Sequence, residues 1–234
     1  AVDDGALPHL FAISLDGPEE LNDRYRGKGS FAQALQAMEG IRKRGLSLAI
    51  TTVIAKHNCQ LENVRWLLRL ASRFSAALHF QFTLPSRATP GVEDLSFAAP
   101  QAEIHRLLRE ILQLPRTEKK PLIFGDHLFR RLLSWESLYP FYRQVPGQRC
   151  FAGRNYATIS PAGILTPCAL LLLDHHPWFT GNDVFAKPWE ESLRNILRLP
   201  CNDCFISCYN LRNYIHSLDL QALRSALRMV FLRG

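Results

Sequence analysis

The 234-residue chain has no apolar run near the roughly 18 residues that a membrane-spanning helix needs. Its longest run, Ala169-Leu170-Leu171-Leu172-Leu173, stops at Asp174. No charged stub followed by an apolar stretch opens the chain, so nothing reads as a secretory signal. There is no internal repeat, no low-complexity segment and no compact basic run with interleaved aromatics. The last absence argues against a nucleic-acid partner despite a net charge of +7. An apolar fraction of 47% and a charged fraction of 21% exclude disorder, collagen and coiled coil. Cysteine is nearly absent from the first 149 residues, where Cys59 stands alone, and the other five of the six fall between positions 150 and 208. A secreted disulfide scaffold is short and spreads its cysteines. This asymmetry fits a metal site in a cytoplasmic protein better.

What is present reads as an α/β protein. Residues 10–15 predict a buried strand ending in the turn Asp16-Gly17-Pro18. Residues 31–44 carry Phe31, Ala34, Leu35, Met38 and Ile41 at helical spacing, with Ser30 as the expected N-cap and Gly45 as the stop. Residues 46–54 predict a second strand, and 60–73 a helix with Leu61, Val64, Leu67, Leu68 and Ala71 on one face. Residues 78–84 predict a third strand, a loop spans 86–99, and helices are expected over 100–113 and 126–138. Strands alternating with helices through short connections imply a parallel sheet with right-handed crossovers, in a barrel or a doubly wound sheet. Beyond Pro146-Gly147 the character changes. Strands at 155–160 and 164–168 flank a hairpin turn at Pro161-Ala162-Gly163, and a short helix is expected near 188–198. A cysteine knuckle at 201–208 and a helix from about 217 to the end follow.

The knuckle is the most chemical feature. Cys201-Asn202-Asp203-Cys204 has the two-residue spacer that aims two thiolates at one metal, and Cys208 follows; Cys150 and Cys168 flank the hairpin. Thiolates select zinc or iron–sulfur clusters. With only one true Cys-x-x-Cys pair, a 4Fe–4S cluster suits the irregular spacing better than a tetrahedral zinc, although zinc and buried free thiols stay open. His175 and His176 read as surface-loop residues rather than zinc ligands. Cys59 reads as a small buried hydrophobe, and Trp66, Phe80, Phe82 and Trp135 as core. No catalytic acid or base stands out; Asp126, Asp174 and Asp183 all fall in plausible loops.

Two stretches of the first half and both cysteine motifs resemble one family. Ile13-Ser14-Leu15-Asp16-Gly17-Pro18, with Asn22-Asp23-Arg24-Tyr25-Arg26-Gly27 and Gly29-Ser30-Phe31, is similar to the fourth strand and following helix of radical S-adenosylmethionine (radical SAM) enzymes. Ile50-Thr51-Thr52-Val53-Ile54 through Asn58 is similar to their fifth strand and helix entry. Cys150, twelve residues, Gly163, four residues and Cys168, followed by the Cys201, Cys204, Cys208 knuckle, resembles the SPASM or twitch auxiliary-cluster domain. The resemblance implies a partial (β/α) radical SAM barrel over 1–145, later strands only. A small α+β iron–sulfur domain with a hairpin and knuckle would occupy 146–234. It implies an auxiliary 4Fe–4S cluster on four of Cys150, Cys168, Cys201, Cys204 and Cys208, the first four being favoured and Cys208 competing. Ser14, Asp16 and Arg26 become the expected S-adenosylmethionine (SAM) residues. Ser14 would meet the amino acid moiety and Arg26 its carboxylate through a bidentate fork. Their plain alternatives are a packing serine, an Asx turn at Gly17 and a surface arginine.

The family's Cys-x3-Cys-x2-Cys motif is missing, as are three early strands and an initiator Met, so the resemblance implies a truncated chain. The parent would use SAM and a second 4Fe–4S cluster to generate a 5′-deoxyadenosyl radical that modifies a peptide or small metabolite. It would draw on an external flavodoxin- or ferredoxin-type electron donor and work in the cytoplasm, off the membrane. The fragment alone would be inactive. The rival reading is a zinc-stapled, non-catalytic binding module.

Overall fold

In a computed structural model, residues 10–82 and 97–122 are described, together with 129–130, 132–133, 151–152, 157–160, 162–168, 182–183 and 191. These residues fall into two compact units, the first holding those up to 133 and the second those from 151.

The first unit is a three-stranded parallel sheet, β1 (Phe11–Ser14), β2 (Leu48–Ile54) and β3 (Ala77–Phe82), in sequential order. Helices α1 (Glu19–Arg26) and α2 (Ser30–Lys43) connect β1 to β2, and α3 (Leu61–Arg73) connects β2 to β3. Helix α4 (Gln101–Gln113) follows, and the four described residues within 129–133 are helical. Register aligns Phe11 with Leu48, Ser14 with Thr51, and Thr51 with His79. Among the described residues of this unit, the periodicity locates each of these helices and strands except α1. That helix is short, polar and opened by Pro18, so no apolar stripe reports it.

Both crossovers advance in the same direction, and right-handed connections then place α2 and α3 on one face of the sheet. Because successive residues alternate faces, the strands divide cleanly. One face carries Phe11, Ile13, Leu15, Leu48, Ile50, Ile54, Leu78, Phe80 and Phe82, with the buried Thr52 among them; Leu15, Ile50 and Leu78 are wholly buried. The helices supply Met38, Val64, Leu67, Leu68, Leu107, Leu108 and Ile111 to the core. Phe80 meets Phe129 at a ring separation of 6.2 Å. The opposite face carries Ala12, Ser14, Ala49, Thr51, Val53, Ala77, His79 and Gln81, all small or uncharged.

The expected cap of α2 is replaced. Gly29, at φ 83°, occupies the N-cap position and Ser30 is already helical. The capping acceptor comes from α1 instead: the Asp23 carboxylate accepts N–H bonds from Gly29 at 2.5 Å and Phe31 at 2.8 Å, and the Ser30 hydroxyl at 3.1 Å. These bonds, the Phe31 N–H foremost, hold the Asp23 carboxyl below its ordinary range. At the other end Gly45, at φ 67°, terminates α2 as expected.

In the second unit β4 (Thr158–Ile159) and β5 (Ile164–Thr166) pair antiparallel around Gly163 at φ 77°, the hairpin expected from Pro161-Ala162-Gly163. A third strand, β6 (Asn182–Asp183), pairs with β5 and gives Asp183 a strand position rather than a loop. The knuckle and the expected helices near 188–198 and beyond 217 lie outside the described residues, apart from helical Glu191.

His79 is 8% exposed in the middle of β3, and burial pushes its pKa down to about 4. The unfolded chain, with an ordinary imidazole, binds the extra proton first, so the contribution is intact above pH 6.5 and is lost as pH falls through that value toward 4. Urea unfolding should show the protein losing about 2 kcal/mol between pH 7 and pH 5 from this group, and His79→Gln should flatten that slope.

Candidate functional site

Parallel α/β sheets place their sites at the C-terminal ends of the strands. Here that rim is organised around Asp16, two residues beyond β1 and 6% exposed. Arg26, in the last turn of α1, donates to it through a side-on fork, Nε to Oδ2 at 2.6 Å and Nη2 to Oδ1 at 3.0 Å. Oδ1 also accepts the Val53 N–H at 3.0 Å and the Thr52 hydroxyl at 3.3 Å, which ties β1 to the end of β2. The Asp16 N–H donates to Asn22 Oδ1 at 3.0 Å. Its carbonyl accepts the Nδ2 groups of Asn58 at 3.3 Å and Asn63 at 3.0 Å.

Three buried asparagines thus hold one loop. Asn22 links it to Ser30 at the start of α2. Asn58 also accepts the Ala55 N–H and donates to the Val53 carbonyl, closing the turn after β2 rather than capping α3. Asn63 lies on the buried face of α3. Its Oδ1 faces Gly17 so closely that a Cβ there would stand 2.5 Å away, and 2.6 Å from Leu21 Cδ2. Gly17 is required by this approach and not by its backbone angles.

Of the three expected SAM residues, the structure brings Asp16 and Arg26 into direct contact and leaves Ser14 exposed at the end of β1. No Asx turn forms: the carboxylate is engaged elsewhere, and Pro18 has no N–H at the position such a turn bonds. Arg26 is not a free surface arginine. Two of its five N–H groups are committed, and its side chain is 30% exposed. Tyr25, one residue earlier, stacks on His57 at a ring separation of 3.4 Å, and burial lowers the His57 pKa against the opposing pull of Asp16. The asparagines, Thr52 and the Tyr25–His57 pair were not expected as site residues. The legible signal was Asn63, a polar side chain on an otherwise apolar helix face with Val64, Leu67 and Leu68.

Cys59 is 2% exposed, and burial raises its thiol to about 11, so it behaves as the hydrophobe expected. Cys168 is half-buried just after β5, and its carbonyl accepts the Thr166 hydroxyl at 3.1 Å. Cys150, Cys201, Cys204 and Cys208 lie outside the described residues, as do Asp126, Asp174, His175, His176 and Trp135. Among the described residues no trio of His, Cys, Asp or Glu gathers as a metal site, and no helix is long and apolar enough to cross a membrane.

No family model matches the chain. It is 31% identical over 193 residues to the mycofactocin maturase MftC of Mycolicibacterium smegmatis, covering 77% of this chain and 44% of that protein. The AdoMet-dependent heme synthase of Nitratidesulfovibrio vulgaris is 27% identical over 193 residues, covering 77% and 51%. The chain therefore spans about half the length of the curated relatives it matches. Among solved structures, native anSMEcpe with bound AdoMet superimposes with a TM-score of 0.55 at 15% identity, over 96% of this chain and 68% of that one. These relatives are radical SAM enzymes, the family that the motifs resemble.

Asp16→Asn should lower the unfolding free energy by about 3 kcal/mol, since it leaves the Arg26 fork without its charged partner. Arg26→Lys keeps the charge but not the fork and should cost less. Gly17→Ala should cost about 2 kcal/mol by driving Asn63 off the Asp16 carbonyl. Urea titration of the three variants reads all three effects.

Proposed function

We propose, with homology to radical SAM maturases as the premise, that this chain is part of a radical SAM enzyme and carries an auxiliary 4Fe–4S cluster. The observation that carries the reading is the rim itself. Ser14, exposed at the end of β1, and an arginine fork held by Asp16 two residues further on both lie at the strand ends where a parallel sheet binds ligands. The sequential strand order, with both crossovers on one face, supports the later strands of a partial barrel over a doubly wound sheet, which needs a reversal of order.

In this reading Ser14 binds the amino acid moiety of SAM, and Arg26 turns its remaining N–H donors to the carboxylate. Asp16 orients Arg26 and does not itself touch the ligand. The donor set fits: the fork uses two N–H groups on Asp16, and the partly exposed side chain keeps three. SAM and a reduced 4Fe–4S cluster supply a carbon-centred radical able to abstract a substrate hydrogen; the protein binds, orients and excludes water.

Residues 1–145 form the barrel part and 146–234 the SPASM- or twitch-type domain. Four of Cys150, Cys168, Cys201, Cys204 and Cys208 hold the auxiliary cluster. The β4–β5 hairpin, with Cys168 two residues after β5, supports that assignment. The substrate class is a peptide or small metabolite. One relative is a mycofactocin maturase, and anSMEcpe has been solved with AdoMet and a peptide bound. The electron donor is of flavodoxin or ferredoxin type, and the enzyme works in the cytoplasm. Among the described residues nothing favours the zinc-stapled module.

Metal analysis after anaerobic reconstitution tests the reading. Wild type should hold about four irons and four sulfides per chain, and Cys201→Ala should lose them. A result of about one zinc and no sulfide would sink it.

A further inference from the structure

Different contacts hold the two ends of the Arg26 side chain. At its tip, the Asp16 carboxylate fixes the guanidinium plane. Its root is the last turn of α1, an eight-residue helix too short to be stable without tertiary contacts. A Cβ added at Gly27, the next residue, would meet nothing within 4 Å, so space is open on that side of the helix end. Tyr25 supplies a hold from the other side. Its ring stacks on His57, beyond β2, with centroids 3.4 Å apart and planes 14° from parallel. His57 precedes Asn58, whose Nδ2 donates to the Asp16 carbonyl at 3.3 Å. A circuit therefore leaves Asp16 through its carboxylate, runs through Arg26, Tyr25, His57 and Asn58, and returns to the Asp16 backbone.

We propose that the Tyr25–His57 stack positions Arg26: by pinning the last turn of α1 to the loop after β2, it sets where the three uncommitted N–H donors point. The ligand they meet, a carboxylate borne on a nucleoside, rests on the radical SAM reading. The stack works through ring faces, which attract by dispersion and by their quadrupoles. Among the described residues, His57 Nε2 is buried with no hydrogen-bond partner, so no polar bond holds that edge of the imidazole. Tyr25 is 41% exposed, so burial in a core does not force it onto His57. Both are positioning residues in this scheme, and neither moves a proton.

The test reads the Arg26 Nε–H resonance of the full chain by NMR, assigned by its loss in Arg26→Lys. Exchange of that proton with water reports how firmly the fork is held, with no ligand present. Tyr25→Phe and His57→Phe keep a ring face and should leave the rate within about twofold of wild type. Tyr25→Ala and His57→Ala should each raise it roughly tenfold. Glu20→Ala breaks the exposed Glu20–Arg24 pair on the same helix, controls for plain loosening of α1, and should change little. Affinities for S-adenosylhomocysteine and for 5′-methylthioadenosine, which lacks the carboxylate, then read where the donors point. Wild type and Tyr25→Phe should prefer the first by at least about tenfold. Tyr25→Ala should lose most of that preference and bind the second as wild type does.

An unchanged exchange rate in both alanine variants overturns the proposal. So does a rise in either phenylalanine variant, or an equal rise in Glu20→Ala, which would make the stack one helix contact among others. A Tyr25→Ala chain that keeps the wild-type preference for S-adenosylhomocysteine overturns it too. If exchange responds as expected but wild type binds neither nucleoside, or both alike, the radical SAM reading fails and the hold on Arg26 stands.

Discussion

The C-terminal rim of the sheet depends on one buried carboxylate. Neighbouring parallel strands leave backbone groups unpaired where they end, and a buried unpaired N–H is costly. Asp16 answers this by standing in for the missing strand: its Oδ1 takes the Val53 N–H that no β1 carbonyl reaches. That choice places a charge out of water, and a buried charge needs a partner. Arg26 meets the need with two bonds to the same carboxylate. Three neutral asparagines then saturate the backbone on either side. Gly17 follows from the same constraint, because the Asn63 side chain approaches its Cα too closely for a methyl group.

The two faces of the sheet differ in composition. Isoleucine, leucine and phenylalanine on one face accept the helices, and the burial of Ile50, Leu78, Leu67 and Leu107 holds the unit together. The other face gives up much of that apolar area for alanine, serine, threonine, histidine and glutamine. At the centre of β3 the buried imidazole of His79 costs stability in acid.

Much of this architecture was legible because hydrophobic periodicity reports burial. Leu61, Val64, Leu67, Leu68 and Ala71 predict α3, and the β-branched run in 46–54 predicts β2, each to within two residues. Helix α1 escaped since it packs through Asn22, Asp23 and Arg26 rather than through an apolar stripe. The cap of α2 escaped for a related reason: Ser30 sits where a local cap belongs, but Asp23, seven residues away, reaches the same N–H groups. The site was legible as residues and not as geometry. Ser14, Asp16 and Arg26 could be singled out by resemblance, but only the folded chain pairs the last two with each other. Spacing along the chain carries no information about which donor a carboxylate selects across nine intervening residues.

That pairing bears on how Arg26 would serve the role proposed for it. A free arginine loses about 2 kcal/mol of side-chain freedom when it is fixed on a ligand. Here the fork is already held by Asp16, so folding has borne that loss before any ligand arrives. The same contact cancels the charge: the pair presents little net field, and long-range attraction of anions to this rim is weak. What remains is direction. Three N–H donors on a plane fixed by Asp16 favour a planar acceptor that arrives in one orientation over any anion that merely comes near. Selection by geometry suits the role proposed for Arg26. A free cation gathers anions by charge, whereas a pre-aimed and electrically balanced fork sets the orientation of the acceptor it binds.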